Sequence, residues 1–224
     1  MPKGSSKGGS GSRSKGRKAG TLFAQAQKLG VDATTFNEVI STLPSDAIKS
    51  IESNGAKIVI NNQLPTGAAG AYNWETKEIY LSSANALESA SGKKTFIHEL
   101  GHAYDHSLAK SRSVGGKSSE KEFQNAVKAD LAKINRTIKK GTTEDRGVIR
   151  IGGGFGVKLT PEASKAKAFL KENTHYVRRS SKHNGYVRSR SKEAFAETVA
   201  RIAGFGNQDW LKYMKKTSQF VENL

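Results

Sequence analysis

The chain has no cysteine among its 224 residues, and only four prolines and two methionines. Without cysteine there are no disulfides, no thiolate nucleophile and no Cys-based zinc site, so any metal must be held by His, Asp or Glu. Acidic residues are scarce too: 20 Asp and Glu stand against 37 Lys and Arg, a formal net charge of +17. Such an excess points to nucleic acid, an anionic surface or an acidic protein partner. No apolar run approaches the roughly 20 residues that span a bilayer. The first twenty residues, MPKGSSKGGSGSRSKGRKAG, are basic but lack an apolar stretch after the charges, so they do not form a Sec-type signal peptide. A soluble protein is expected; delivery by a specialised secretion system or carriage in a virus particle is compatible with the chain.

Residues 1–19 are Gly, Ser, Lys and Arg with almost nothing to bury, and are expected to be a flexible tail. Its cations suit phosphate contacts, and a solvated leader explains them equally well. The remaining residues, 20–224, are expected to form one domain. Helices are predicted around residues 21–30, 32–43 and 44–55, with Gly30 and Gly55 as stops. AKIVINN reads as a β-branched strand, and AGAYNWETKEIYLSS as a hairpin pairing Ala71–Trp74 with Glu78–Leu81. A helix is predicted over about 92–107. Phe123, Val127, Leu131, Ile134 and Ile138 recur at three- and four-residue steps, the stripe of an amphipathic helix over about 119–139. Residues 109–183 read as a basic insertion, with a strand-turn-strand around RGVIRIGGGFGVK. Two closing helices are predicted over about 192–203 and 208–223. The fold class expected is α+β, with a small mixed or antiparallel sheet beside the helix of residues 92–107 and the C-terminal helices.

Residues 97–103 read IHELGHA. On a helix, His98 and His102 present both imidazoles on one face, one turn apart, as two corners of a tetrahedral metal site. Glu99 then stands beside the open coordination position, where a carboxylate can take a proton from water and return it to a leaving amine. Gly101 costs about 1 kcal/mol of helix propensity relative to Ala, so its presence calls for close packing. A buried helix whose histidines satisfy core hydrogen bonds is the ordinary alternative, and the rarity of His-Glu-x-x-His weighs against it. For the third ligand, Asp105 and His106 follow too closely: Asp105 fits better as an acceptor orienting a ligand histidine, and His106 as a solvent-facing residue at the helix end. SKEAFAETVARIAG is the better source. A carboxylate from Glu193 on a second packed helix completes a His-His-Glu site, and Glu197, one turn on, is placed to brace a ligand.

HELGHAYD followed by YVRSRSKEAFAE resembles the catalytic domain of the lethal-factor-like zinc metalloproteases, the gluzincin group that includes anthrax lethal factor and the Pro-Pro endopeptidases. The resemblance covers about residues 56–106 and 184–204. It implies a zincin-like fold, with Zn2+ held by His98, His102 and Glu193, and Glu99 as general base. It also implies that Tyr186, seven residues before Glu193, donates a hydrogen bond to the oxyanion. The family's activity is hydrolysis of peptide bonds, so the expected partner is a protein or peptide substrate, with the hairpin as an edge for an added strand. The basic run around Tyr186 favours acidic or nucleic-acid-bound substrates. The competing expectation is a basic nucleic-acid-binding or particle-associated protein whose metal site is structural or vestigial. Salt-dependent binding without hydrolysis would mark it.

Overall fold

In the computed structural model, main chain and side chains are described for residues 21–64, 70–109, 116–142, 159–177 and 190–224. Backbone alone is described for 143–144, 148–151, 154–157, 182–183 and 186–187. The expected N-terminal tail, most of the basic run at 178–189 and the side chain of Tyr186 lie outside the described residues.

Three short helices open the domain: α1 (Leu22–Lys28), α2 (Ala33–Ile40) and α3 (Ser45–Ser53). Thr21 and Asp32 cap the first two by accepting from Ala24 N and Thr35 N. Gly30 and Gly55 end their turns at φ +76° and +82°, a left-handed conformation costly for other residues.

A mixed three-stranded sheet follows, with β1 (Lys57–Ile60), β2 (Gly70–Asn73) and β3 (Glu78–Leu81) in the order β1-β3-β2. β1 runs parallel to β3, and β2 pairs antiparallel with it in the register Tyr72↔Ile79. The hairpin turn is set by Asn73, whose side-chain oxygen accepts from the amides of Glu75 (2.9 Å) and Thr76 (3.2 Å). β2 therefore forms one edge of this sheet, on the side that meets the next helix.

That helix, α4 (Ala90–Ser107), is capped by Ser89 and carries the IHELGHA segment. Phe96, Ile97, Leu100 and Ala103 are buried along it. Next come α5 (Lys121–Glu144), the strand pair β4 (Val148–Ile151) and β5 (Gly154–Val157), and α6 (Pro161–Glu172). Phe123, Val127 and Ile134 of α5 and Phe169 of α6 join the same core as α4, with Phe123 5.5 Å from Phe195 between ring centroids. Helices α5 and α6, from within residues 109–183, are thus built into the core. A short helix, α7 (Thr174–Val177), and a minimal strand pair, β6 (Lys182–His183) with β7 (Tyr186–Val187), lead to α8 (Arg190–Ile202), α9 (Asp209–Tyr213) and α10 (Lys215–Glu222).

The single closing helix expected over 208–223 is two. The chain breaks at Met214 (φ −103°, ψ 44°), and the buried Asp130 of α5 caps the second segment. Its carboxylate accepts from Lys216 N, Thr217 N and the Thr217 hydroxyl at 3.2, 2.9 and 2.8 Å. The fold is α+β, mostly helical around one small mixed sheet.

Candidate metal centre

α8 is buried along its whole middle, from Ala194 to Arg201. It lies against α4 at the glycine between the two histidines. A Cβ on Gly101 would stand 2.8 Å from Ala196 Cα and 3.0 Å from Ala196 O. Two backbones can approach this closely only where one position has no side chain, and that approach carries Glu193 over to His98 and His102.

The three side chains converge. Glu193 Oε2 lies 3.6 Å from His98 Nε2, and Oε1 lies 3.8 Å from His102 Nε2. One donor atom from each of His98, His102 and Glu193 falls within 4.8 Å of the others. Ligands of a tetrahedral ion at bond lengths of about 2.0–2.1 Å stand about 3.4 Å apart, so the group can hold a metal ion. The imidazoles meet edge to face with centroids 4.9 Å apart.

Charge supports the same conclusion. In a chain of net charge +17, this one spot gathers the carboxylates of Glu99, Glu193 and Glu197. Burial alone would lower the pKa of His98. Hydrogen bonding to Glu193 and Glu197 and the charge of Glu99 more than reverse this and raise it to about 10.

Glu99 sits on α4 beside His98, close under the first residue of the edge strand. A Cβ on Gly70 would meet Tyr80 O at 3.0 Å, Thr95 Cγ2 at 3.2 Å and Glu99 Cγ at 3.4 Å. Glycine at the start of β2 thus lets the edge strand run directly over the turn that carries Glu99.

Glu197, expected to brace a ligand, lies against His98. It is fully buried, and its Oε2 lies 3.3 Å from His98 Nδ1. Burial would raise its pKa, but His98, Arg201 and Lys94 together bring it below the ordinary carboxylate value.

The expectation for Asp105 needs correction. Its carboxylate accepts from Ser118 N (2.6 Å) and the Ser118 hydroxyl (2.5 Å), pinning the 3-10 turn Lys117–Ser119 onto α4, and both oxygens are engaged there rather than on a ligand imidazole. Burial raises its pKa to about 6. His106 is not solvent-facing either: the Tyr72 hydroxyl lies 2.8 Å from its Nδ1, and Trp74 stacks on its ring with centroids 4.5 Å apart.

Tyr186 opens β7, and its side chain is outside the described residues. A described phenol beside these residues is Tyr176 of α7, whose ring centroid is 5.6 Å from that of His98. Burial pushes its pKa up, with the charge of Glu197 adding to the effect. Nothing in the ENTHYV sequence around Tyr176 marked it. Arg201 went unread as well, although a cation one helical turn beyond Glu197 was the signal that could have found it.

No helix among the described residues is long and apolar enough to cross a membrane. No protein-family profile matches the chain, and no curated protein or solved structure matches it significantly.

Proposed function

We propose that the chain is a zinc-dependent endopeptidase of zincin-like fold, related to the lethal-factor-like group, acting on a protein or peptide substrate. The observation that carries this reading is the convergence of His98, His102 and Glu193 with Glu99 on the same turn of α4. An all-nitrogen-and-oxygen donor set of two imidazoles and one carboxylate leaves a fourth position open, the arrangement of catalytic rather than structural zinc. A zinc ion bound there would supply Lewis acidity, polarising the scissile carbonyl and lowering the pKa of water.

The chain's own groups do the remaining work. The Glu99 carboxylate accepts a proton from the attacking water and returns it to the leaving amine nitrogen. Glu197 holds Nδ1 of His98, so that the ring presents Nε2 to the cluster. Strand β2 offers an edge on which an extended peptide can pair beside Glu99. Tyr186 is proposed as the oxyanion donor on the resemblance alone.

The test compares zinc-loaded wild type with Glu99→Gln on a mixed peptide library, with cleavage read by mass spectrometry. The variant should retain zinc and lose about 10²–10⁴-fold in cleavage rate. A zinc-loaded wild type that cleaves nothing Glu99→Gln spares would leave a structural metal in a basic binding protein.

A further inference from the structure

Arg201 is a guanidinium buried to 4% exposure deep in the domain, and the ligand set does not account for it. It lies on α8 one turn after Glu197 and two after Glu193. Its Nη2 pairs with Glu197 Oε1, while Nη1 donates to the carbonyl of Phe205 at 3.2 Å. The chain makes room for it at Gly206. A Cβ there would collide with Nη1 and Cζ, and the residue's φ of +83° disfavours any side chain. The turn after α8 is therefore shaped around this guanidinium.

The other side of Glu197 faces His98 Nδ1 at 3.3 Å, and Lys94 approaches Oε1 at 3.6 Å. A continuous line of polar contacts thus runs from the Phe205 carbonyl through Arg201 and Glu197 to His98. Lys94 is partly exposed and reaches the carboxylate from the rim, whereas Arg201 is enclosed. The two cations differ in kind. An ammonium is a point charge on a flexible stem, but a planar guanidinium anchored at a second point fixes the orientation of the carboxylate it pairs with.

We infer that Arg201 is a positioning residue of the metal centre: clamped by the Gly206 turn, it locks the Glu197 carboxylate against Nδ1 of His98 and so sets the tautomer and rotation with which His98 meets the ion. The inference rests on the reading of His98, His102 and Glu193 as ligands. It goes beyond that reading by making the α8–α9 turn, which supplies none of the three donors, a determinant of metal affinity. Groups that support a ligand imidazole typically contribute about 10–100-fold to affinity.

The experiment uses the full chain and three variants: Arg201→Met, Arg201→Lys and, as a control, Leu22→Ala, a core truncation in α1. Zinc affinity is measured by competition with a chromophoric chelator, and ligand geometry by the visible absorption of the Co2+-loaded protein. Arg201→Met should lose about 10–100-fold in zinc affinity and show an altered cobalt spectrum, with Arg201→Lys recovering part of both. Leu22→Ala should lower the melting temperature while leaving affinity and spectrum at wild-type values.

Wild-type affinity and spectrum in Arg201→Met would overturn the inference. So would an affinity loss with an unchanged spectrum that Leu22→Ala reproduces at equal destabilisation. Should Arg201→Met fail to fold, Gly206→Ala keeps the arginine but displaces its guanidinium, and the same two readouts decide with the same signs. A wild type that takes up neither zinc nor cobalt removes the ligand assignment itself, and the positioning role with it. A wild type that binds metal, with Arg201 variants that bind it equally well, removes the positioning role alone.

Discussion

Lys192 holds its ammonium nitrogen 3.7 Å from the centroid of the Trp74 indole ring. The indole also carries the His106 imidazole, stacked at 4.5 Å, and His106 in turn meets the Tyr72 hydroxyl. Hairpin, α4 and α8 therefore join at one aromatic group, immediately before Glu193 in the chain. Burial lowers the pKa of Lys192, which marks its ammonium as partly withdrawn from water. The contact fixes the approach of the edge strand to the ligand-bearing end of α8.

A double-mutant cycle on Trp74→Ala and Lys192→Met should give a coupling of about 0.5–2 kcal/mol in urea denaturation, the range of a partly desolvated cation–π pair. Additive single effects would mean that the contact is geometric only.

Gly101→Ala sets two effects against each other. Helix propensity should favour it by about 1 kcal/mol, while the new methyl would meet the Ala196 backbone at 2.8 Å. Both groups belong to rigid helices, so the clash should win. The variant is expected to be less stable by about 1–3 kcal/mol, and weaker in metal binding because Glu193 is pushed away from the histidines. A more stable Gly101→Ala with wild-type metal affinity would show that the helices can separate freely.

Asp105 gives a pH signature. Its pKa rises from an ordinary 3.8 to about 6, chiefly through burial. The folded chain thus holds this proton more tightly than the unfolded chain. As pH climbs from about 4 to 6, the unfolded chain ionises first and stability falls; above about 6 the loss is complete. Asp105→Asn cannot ionise and can still accept from Ser118 N. Its stability relative to wild type should therefore rise across that window by on the order of 3 kcal/mol. Parallel pH profiles from urea titrations would dismiss the effect.

Metal removal should be visible in stability. With free zinc at about 100 times its Kd, binding adds about 2.7 kcal/mol, so a chelator should lower the melting temperature of the wild type. Glu193→Ala should bind far less than the wild type's expected complement of about one zinc per chain, and its melting temperature should ignore the chelator. Equal zinc in both proteins would place the third ligand elsewhere.

Much of this architecture was legible where local chemistry decides. The two strand-like runs around a polar turn announced the hairpin, the IHELGHA segment read as part of α4, and the Phe123–Ile138 stripe announced α5. The glycine-rich run at 152–156 was expected between two strands, and β4 pairs with β5 there. α6 was missed although Thr160 and Pro161 form a plain helix start; the glycines and charges around it drew the reading toward loop. The break at Met214 was not legible, because it depends on Asp130 arriving from a distant helix. The same holds at the site. His98, Glu99 and His102 share one helix turn and can be read directly. That Asp105 turns to Ser118 depends on how the 3-10 turn packs back onto α4, and that Glu197 reaches His98 depends on α8 meeting α4 from far along the chain.

The close approach of α4 and α8 at Gly101 has a consequence for how the chain folds. His102 and Glu193 are 91 residues apart (193 − 102), and the protein has no cysteine with which to tie such distant segments. An ion held by both helices closes that loop much as a disulfide would. For a loop of this length the entropy removed from the unfolded chain amounts to about 4–5 kcal/mol. The centre would then act as a long-range staple in a chain without cysteine, joining α4 to α8 across the intervening helices α5 and α6.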